Sequence, residues 1–376
     1  MVAIEAVEGM DTEIFELGAT PMEMTLTLAA DRLESPGDCS PGVLGTAEGQ
    51  WAVNATLKGK PHNSFQPLLD DNSKPYLKLE FVEALFHGVR SIRLYNQWQE
   101  VSQVQRYLGY KLWRDLGYPA PRSGFATLTL NGAWRGLYGL QESVDVPDFA
   151  MARRDVLGDV DALFEGEYGQ DFTGLLPEEM DLRYGEETSR GRLAMLAEVV
   201  DDPASVLLRD MEAFLPTDRW ADFWALEVIV GAREGYTFRT NNFYVAHHAE
   251  TDTFQLIPWG FDQVLVDLNL WPDAPYARIP TRVMETAQSG LLDVQERALE
   301  RFLDRLAEPE GEVTWATLED DMDTALDVIR PIYEEEIRAF GDDYRPWHIE
   351  DVEMSQEQVR SYMDHRGEQL RDAIAQ

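Results

Sequence analysis

A chain of 376 residues can bury a sizeable core, and its 44% hydrophobic content, with 10 Trp, 16 Phe and 14 Tyr, excludes a disordered segment. Its 69 acidic against 32 basic residues leave a formal charge of −37, which works against nucleic acid or an anionic membrane surface as partner. A basic peptide or a metal ion suits that charge, as does a plainly soluble acidic surface.

Only five basic residues are lysines, Lys58, Lys60, Lys74, Lys78 and Lys111, all in the first third of the chain. The single cysteine, Cys39, excludes an intrachain disulfide and a cysteine zinc site. No run reaches the roughly 18 apolar residues of a membrane span, so no membrane insertion is expected. Met1-Val2-Ala3-Ile4-Glu5 lacks the charged and apolar regions of a signal peptide. The expectation is a cytoplasmic protein as written, or an exported or cell-envelope one if a leader is cut away.

The first third alternates with period two. Met22, Met24, Leu26 and Leu28 face one way in MEMTLTL, and Trp51, Val53, Ala55 and Leu57 do so in WAVNATL. In PYLKLEF, Leu77, Leu79 and Phe81 share a face, which puts Lys78 on the polar side with Tyr76 and Glu80. Val101, Val104, Leu108 and Leu112 predict a helix over 101–116, stopped by Gly117 and Pro119. The stretch ATLTLNGAWRGLYGLQESVD reads as a hairpin with Asn131-Gly132 at its turn, its second strand delivering Glu142.

Beyond about 146 the period becomes helical. Helices are expected at 189–200, 203–214 and 217–231, with Thr217 as N-cap of the last and Trp220, Phe223, Trp224 and Val228 as its core stripe. One hairpin interrupts them, in NNFYVAHHAETDTFQLIPWGFDQ at 241–263, and long amphipathic helices follow from 291. His247 and His248 are adjacent strand residues, so they point to opposite faces and do not share a metal; the AETDT turn beside them indicates a surface hairpin.

Lys78 and Glu142 in the β-rich part, with Glu234, Asn241, Asn242 and Asp262 around the hairpin, suit nucleotide-dependent phosphoryl transfer. The lysine neutralises phosphate oxygens, amide and carboxylate oxygens hold Mg²⁺, and an acid orients the attacking hydroxyl. Other chemistries lack their motifs. There is no GxSxG elbow, no GxGxxG after a strand and no GxxxxGK[ST], and hydrolysis by a carboxylate pair has only the abundance of acids behind it.

From about 53 to about 265 the residues also resemble the CotH kinases. LKGK at 57–60 is similar to that family's KG loop, and KPYLKLEF at 74–81 to its lysine-bearing strand. LYNQWQEVSQVQRYLGYKLWRDLGYPAPR at 94–122 is similar to its LNN-x-x-QDPS stretch, helix and LGxPAPR exit. LTLNGAWRGLYGLQESVD resembles its NGxxxGLYxxxExxD hairpin. EGYTFRTNNFYV and FQLIPWGFD resemble its DGYxxNxNNFYxY and FxxIPWGxD.

The resemblance implies an α+β, bilobal, atypical protein-kinase-like fold. A β-rich N-lobe would span 1–147 and a mainly helical C-lobe with a central β-hairpin 148–376, together one catalytic domain. It implies ATP with Mg²⁺ or Mn²⁺ as cofactors and Ser or Thr of a protein as acceptor. Lys78 would contact phosphate with Glu142 as its acid partner. Lys58, Lys60 and Asn96 would assist on the nucleotide side, Asn241, Asn242 and Asp262 would bind metal, and Glu234 would be the catalytic acid. The charge suggests an acceptor with an Arg- or Lys-rich segment.

The chain departs from the pattern at Glu234, where DGY has Asp, at Glu100, where QDPS has Asp, and at Tyr95, the first Asn of LNN. One extra methylene moves a carboxylate by roughly 1.5 Å, and a shift of about 1 Å can lower a rate on the order of 100-fold. The alternative is therefore a catalytically silent member that binds nucleotide, metal or a basic partner as a structural or envelope component.

Overall fold

Seven strands in the first 142 residues close into a barrel. They are β1 (Met22–Leu28), β2 (Cys39–Thr46), β3 (Gly49–Leu57), β4 (Leu77–Phe81), β5 (Ser91–Tyr95), β6 (Ser123–Leu130) and β7 (Ala133–Glu142), in the order β1-β2-β3-β4-β5-β7-β6. The computed structural model describes residues 13–59, 66–166, 168–173, 179–202, 207–267, 291–341 and 347–375. Neighbouring barrel strands are antiparallel except at the closure, where β1 and β6 run parallel with Met24 opposite Leu128. The period-two residues form one interior cluster, among them Leu26, Val53, Leu79, Ile92, Leu128 and Leu140.

Asn131 and Gly132 both take positive φ, 50° and 85°, the left-handed pair a two-residue hairpin turn requires. Two barrel strands give weak strand signals. β2 contains Pro41, Gly42 and Gly45 and reads as a loop; β5 sets Ile92 and Leu94 against Ser91 and Arg93, but over only five residues, and it is buried along its whole length.

The chain divides into two compact units. One comprises Met1–Tyr107, Pro121–Phe149 and Asp320–Gln356, and the other Leu108–Ala120, Ala150–Glu319 and Glu357–Gln376. A single cut between 147 and 148 thus gives way to an interleaved division. Within the barrel unit, residues of the Trp315–Phe340 helix pack on the sheet: Phe340 stacks on Trp134 at 5.9 Å, and Glu336 enters the interior beside β7.

The second unit holds a four-stranded antiparallel sheet in the order β11-β10-β8-β9, built from β8 (Val160–Gly166), β9 (Asp181–Gly185), β10 (Phe243–His248) and β11 (Thr253–Pro258). This corrects two expectations. The hairpin is not the sole β structure beyond 146, and it is not a surface feature, because β10 is an inner strand buried at every position. β8 is a short apolar run and β9 a largely exposed polar edge, patterns that carry little strand signal.

Helices Thr188–Asp201 and Thr217–Val230 lie where the periodicity predicts them. The helix expected over 203–214 is Leu207–Met211, with 203–206 outside the described residues, and the one expected over 101–116 is Gln105–Asp115. Trp220, Phe223, Trp224 and Val228 are core. Thr217 is not a capping acceptor: it is the first helical residue, and its hydroxyl donates to Glu212 at 2.6 Å. Among the described residues no helix is long and apolar enough to cross a membrane.

Candidate functional site

Lys78 sits in β4 in a cross-strand row with Thr56, Arg93 and Gln141, and the adjacent row is Ala55, Leu79, Ile92 and Glu142. Cross-strand partners share a face and successive residues alternate, so Lys78 and Glu142 leave the sheet on opposite sides. The expected pairing is corrected accordingly. Lys78 Nζ lies 2.8 Å from Asp145 Oδ2 and 2.9 Å from Glu80, while Glu142 is held by Arg122, whose Nη2 and Nε donate at 3.0 and 3.2 Å.

Lys78 is also not an exposed strand lysine, for only 9% of its surface remains accessible. Arg93 reinforces the arrangement, donating to Asp145 at 3.1 Å and to the Tyr76 hydroxyl at 3.0 Å. Asp145 is the last residue of the ExxD motif, and sequence reasoning passed over it in favour of the glutamate three positions earlier.

The other nucleotide-side candidates separate. Lys58 follows β3 and its backbone N–H donates to Tyr76 O at 2.9 Å. Lys60 lies outside the described residues. Asn96 is buried; its amide donates to Lys74 O at 3.0 Å and accepts the Trp98 N–H at 3.2 Å, so it orders backbone. The two exchanged residues nearby, Tyr95 and Glu100, meet on one side chain. Arg106 stacks 3.7 Å from the Tyr95 ring centre and reaches Glu100 at 3.0 Å, and Glu100 also accepts the Arg106 N–H at 2.9 Å.

A buried pair was not anticipated at all. Lys74 Nζ meets Glu336 Oε1 at 2.6 Å with both side chains fully enclosed, and Glu336 Oε2 accepts the Leu137 N–H at 2.7 Å. The Tyr138 ring, 5.3 Å away, covers the ammonium.

In the second unit Asn241 and Asn242 immediately precede β10, and Asp262 lies just past β11. Phe243 is paired with Pro258, and the Trp259 N–H donates to Asn242 O at 3.1 Å, so the two ends of the hairpin adjoin. Gly260, at φ 68°, lies so close to Asn242 that an added Cβ would collide with the carboxamide. Asn241 is buried and Asp262 half-buried. Phe261 stacks on Tyr110 at 4.6 Å and Leu265 N–H bonds Val230 O at 2.7 Å, which fixes the chain on both sides of Asp262.

Among the described residues no three His, Cys, Asp or Glu side chains form a metal-holding group. The donors here are amide and carboxylate oxygens. Those are hard ligands, and they fit a cation that draws its remaining oxygens from phosphate and water.

Glu234 lies in the turn after the Thr217–Val230 helix with Arg233 Nε at 3.7 Å and Arg239 Nε at 3.6 Å. In the DGYxxNxNNFY pattern Arg239 stands at the first Asn. The histidines of β10 are engaged separately: His247 lies between Asp161 at 2.7 Å and Asp252 at 3.1 Å, whereas His248 is buried, which pushes its pKa down to about 4.

The family comparison marks a kinase-like protein. The chain belongs to the CotH family, whose model, described as CotH kinase protein, matches residues 64–370. The inner spore coat protein H of Bacillus subtilis (strain 168) is 21% identical over 328 residues, covering 81% of this chain and 84% of that protein. The crystal structure of the Helicobacter pylori proinflammatory kinase CtkA aligns with 92% of this chain and 94% of its own at 10% identity, with a TM-score of 0.30.

Proposed function

We propose that this chain is a metal-dependent protein kinase that moves the γ-phosphoryl group of ATP to a Ser or Thr hydroxyl of a protein acceptor. The bond between the γ-phosphorus and the ADP oxygen breaks, a bond to the acceptor oxygen forms, and the hydroxyl proton passes to Glu234. Lys78, steadied by Asp145 and Arg93, would bind phosphate oxygens. Asn242 and Asp262 would hold Mg²⁺ or Mn²⁺, with Asn241 shaping the turn, and the bound cation would neutralise phosphate charge. The net charge of −37 favours an acceptor segment rich in Arg or Lys.

The observation that carries this reading is the delivery of Asn242 and Asp262 to adjoining ends of one hairpin, the carboxamide packed on Gly260. Incubation with labelled ATP and Mn²⁺ tests it. Labelling of the chain or of a basic acceptor is expected, and Asp262→Ala should abolish it. No labelling, with no rise in melting temperature on adding ATP and Mn²⁺, defeats the proposal.

A second reading, a silent member that binds nucleotide or metal, has one observation in its favour. Glu234 stands between two guanidiniums, one of them at the motif's Asn position. Combining Glu234→Asp with Arg239→Asn separates the two. A large gain in turnover marks an impaired kinase, and unchanged silence with nucleotide binding intact marks a scaffold.

A further inference from the structure

Glu227 interrupts the apolar run Trp224-Ala225-Leu226-Glu227-Val228-Ile229-Val230 and is completely buried. Its Oε1 accepts the Tyr236 N–H at 3.1 Å and its Oε2 the Thr237 N–H at 2.6 Å. Its backbone oxygen accepts the Ala232 N–H at 2.9 Å. One residue therefore grips the loop on both sides of Glu234. Gly235 permits the grip, since an added Cβ there would run into the Glu227 carboxylate. A second brace comes from the Tyr236 hydroxyl, which donates to Asp171 at 2.7 Å.

The same helix end holds the other half of the hairpin. Val230 O accepts the N–H of Leu265, three positions past Asp262, at 2.7 Å. Val228 O and Ile229 O are taken by Arg366 Nη2 at 2.6 Å and the Tyr362 hydroxyl at 2.7 Å. Carbonyls that a helix terminus leaves without intrahelical partners thus become fixed anchors. A carboxylate in a dry helix interior is unfavourable unless its oxygens are engaged, and here both receive backbone donors.

We propose that Glu227 is a positioning residue for phosphoryl transfer. It fixes the Gly231–Gly235 turn and the start of the short Tyr236–Arg239 helix so that the Glu234 carboxylate keeps one place relative to Asn242 and Asp262, and it acts through backbone amides without touching substrate. The inference rests on the kinase reading above.

Glu227→Gln keeps the size of the side chain but replaces one oxygen, which can accept whether the carboxyl is charged or protonated, with an NH2 that can only donate toward one of the two N–H groups. We expect kcat to fall about 10- to 100-fold with KM for ATP within about twofold. Amide hydrogen exchange at Tyr236 and Thr237 should accelerate about tenfold while β10 keeps its wild-type rates. Glu227→Asp, which retains both acceptor oxygens, should keep more activity than the Gln variant. If E227Q does not fold, Gly235→Ala crowds the same carboxylate from the loop side and should give the same split. Where the wild type is active, unchanged exchange at the two amides in E227Q, or a raised KM with kcat intact, overturns the role of Glu227 alone. A wild type that transfers no phosphate overturns the kinase reading and, with it, this catalytic role.

Discussion

In the barrel unit, Lys78 owes its direction to register: it points where its row of Thr56, Arg93 and Gln141 points, and Asp145 meets it there. In the hairpin unit, Asn242 and Asp262 lie off the ends of strands, and their directions come from backbone turns, with φ at 51° for Asn242, 68° for Gly260 and 56° for Leu265. The first arrangement is held by charge against charge on a rigid surface, the second by sterically special backbone. The two should fail differently. A barrel residue is lost when its partner is removed, and a hairpin residue when the chain around it can no longer turn.

The largest expected effect tests the barrel side. Glu336→Ala leaves Lys74 charged and enclosed, and should cost about 3–5 kcal/mol in urea unfolding. A double variant with Lys74→Met should recover most of that, and a loss below about 1 kcal/mol would break the contrast. On the hairpin side, Gly260→Ala combines a strained φ with a collision at Asn242 and should cost about 2 kcal/mol. It should also remove any stabilisation by Mn²⁺, whereas Glu336→Ala should not do so selectively.

Acid–base behaviour sharpens the comparison further, since two buried groups of the hairpin unit titrate with opposite sense. Burial, working against the two N–H donors, raises Glu227 to about 8. The folded protein therefore binds the proton more tightly than the unfolded chain, and this contribution to stability is present in acid and lost as pH rises from about 4.5 to about 8. Burial lowers His248 to about 4, so its contribution is present above its ordinary pKa and lost as pH falls toward 4. Melting curves of wild type and E227Q should diverge above pH 5, and those of wild type and His248→Gln below pH 6.5, each by a few degrees. The smallest effect belongs to Glu80→Gln: its half-exposed ion pair with Lys78 should contribute less than about 0.5 kcal/mol.

How much could be read beforehand follows from the same distinction. Strands covered on one face, such as β1 and β3, announce themselves by alternation, and Asn131-Gly132 announces its turn. β2, rich in Gly and Pro, does not, and β5, covered on both faces, alternates over only five residues. The placement of Asn242 and Asp262 at the two ends of the hairpin was legible through their motif, because turns demand particular residues in a particular order. The Lys78 partner was misassigned because Glu142 and Asp145 both end the same motif, and only the row of Ile92 opposite Glu142 tells their faces apart. Nothing local marks Glu336, one of three consecutive glutamates, as the buried one. Glu227 did carry a signal, an acid inside an apolar helical run a few residues ahead of Gly-Tyr, but its meaning depends on amides that fold back onto it.

The Lys74–Glu336 pair spans 262 positions of sequence. At about 5–20 residues per second of synthesis, the acid leaves the ribosome roughly 13–50 s after the lysine. Once Glu142 has emerged all seven strands are available, while Glu336, the acid that meets the Lys74 ammonium in the folded chain, is still to be made. The enclosed Lys74–Glu336 pair needs the Trp315–Phe340 helix, which is made later. The strands made first thus belong to a unit that is sealed among the last.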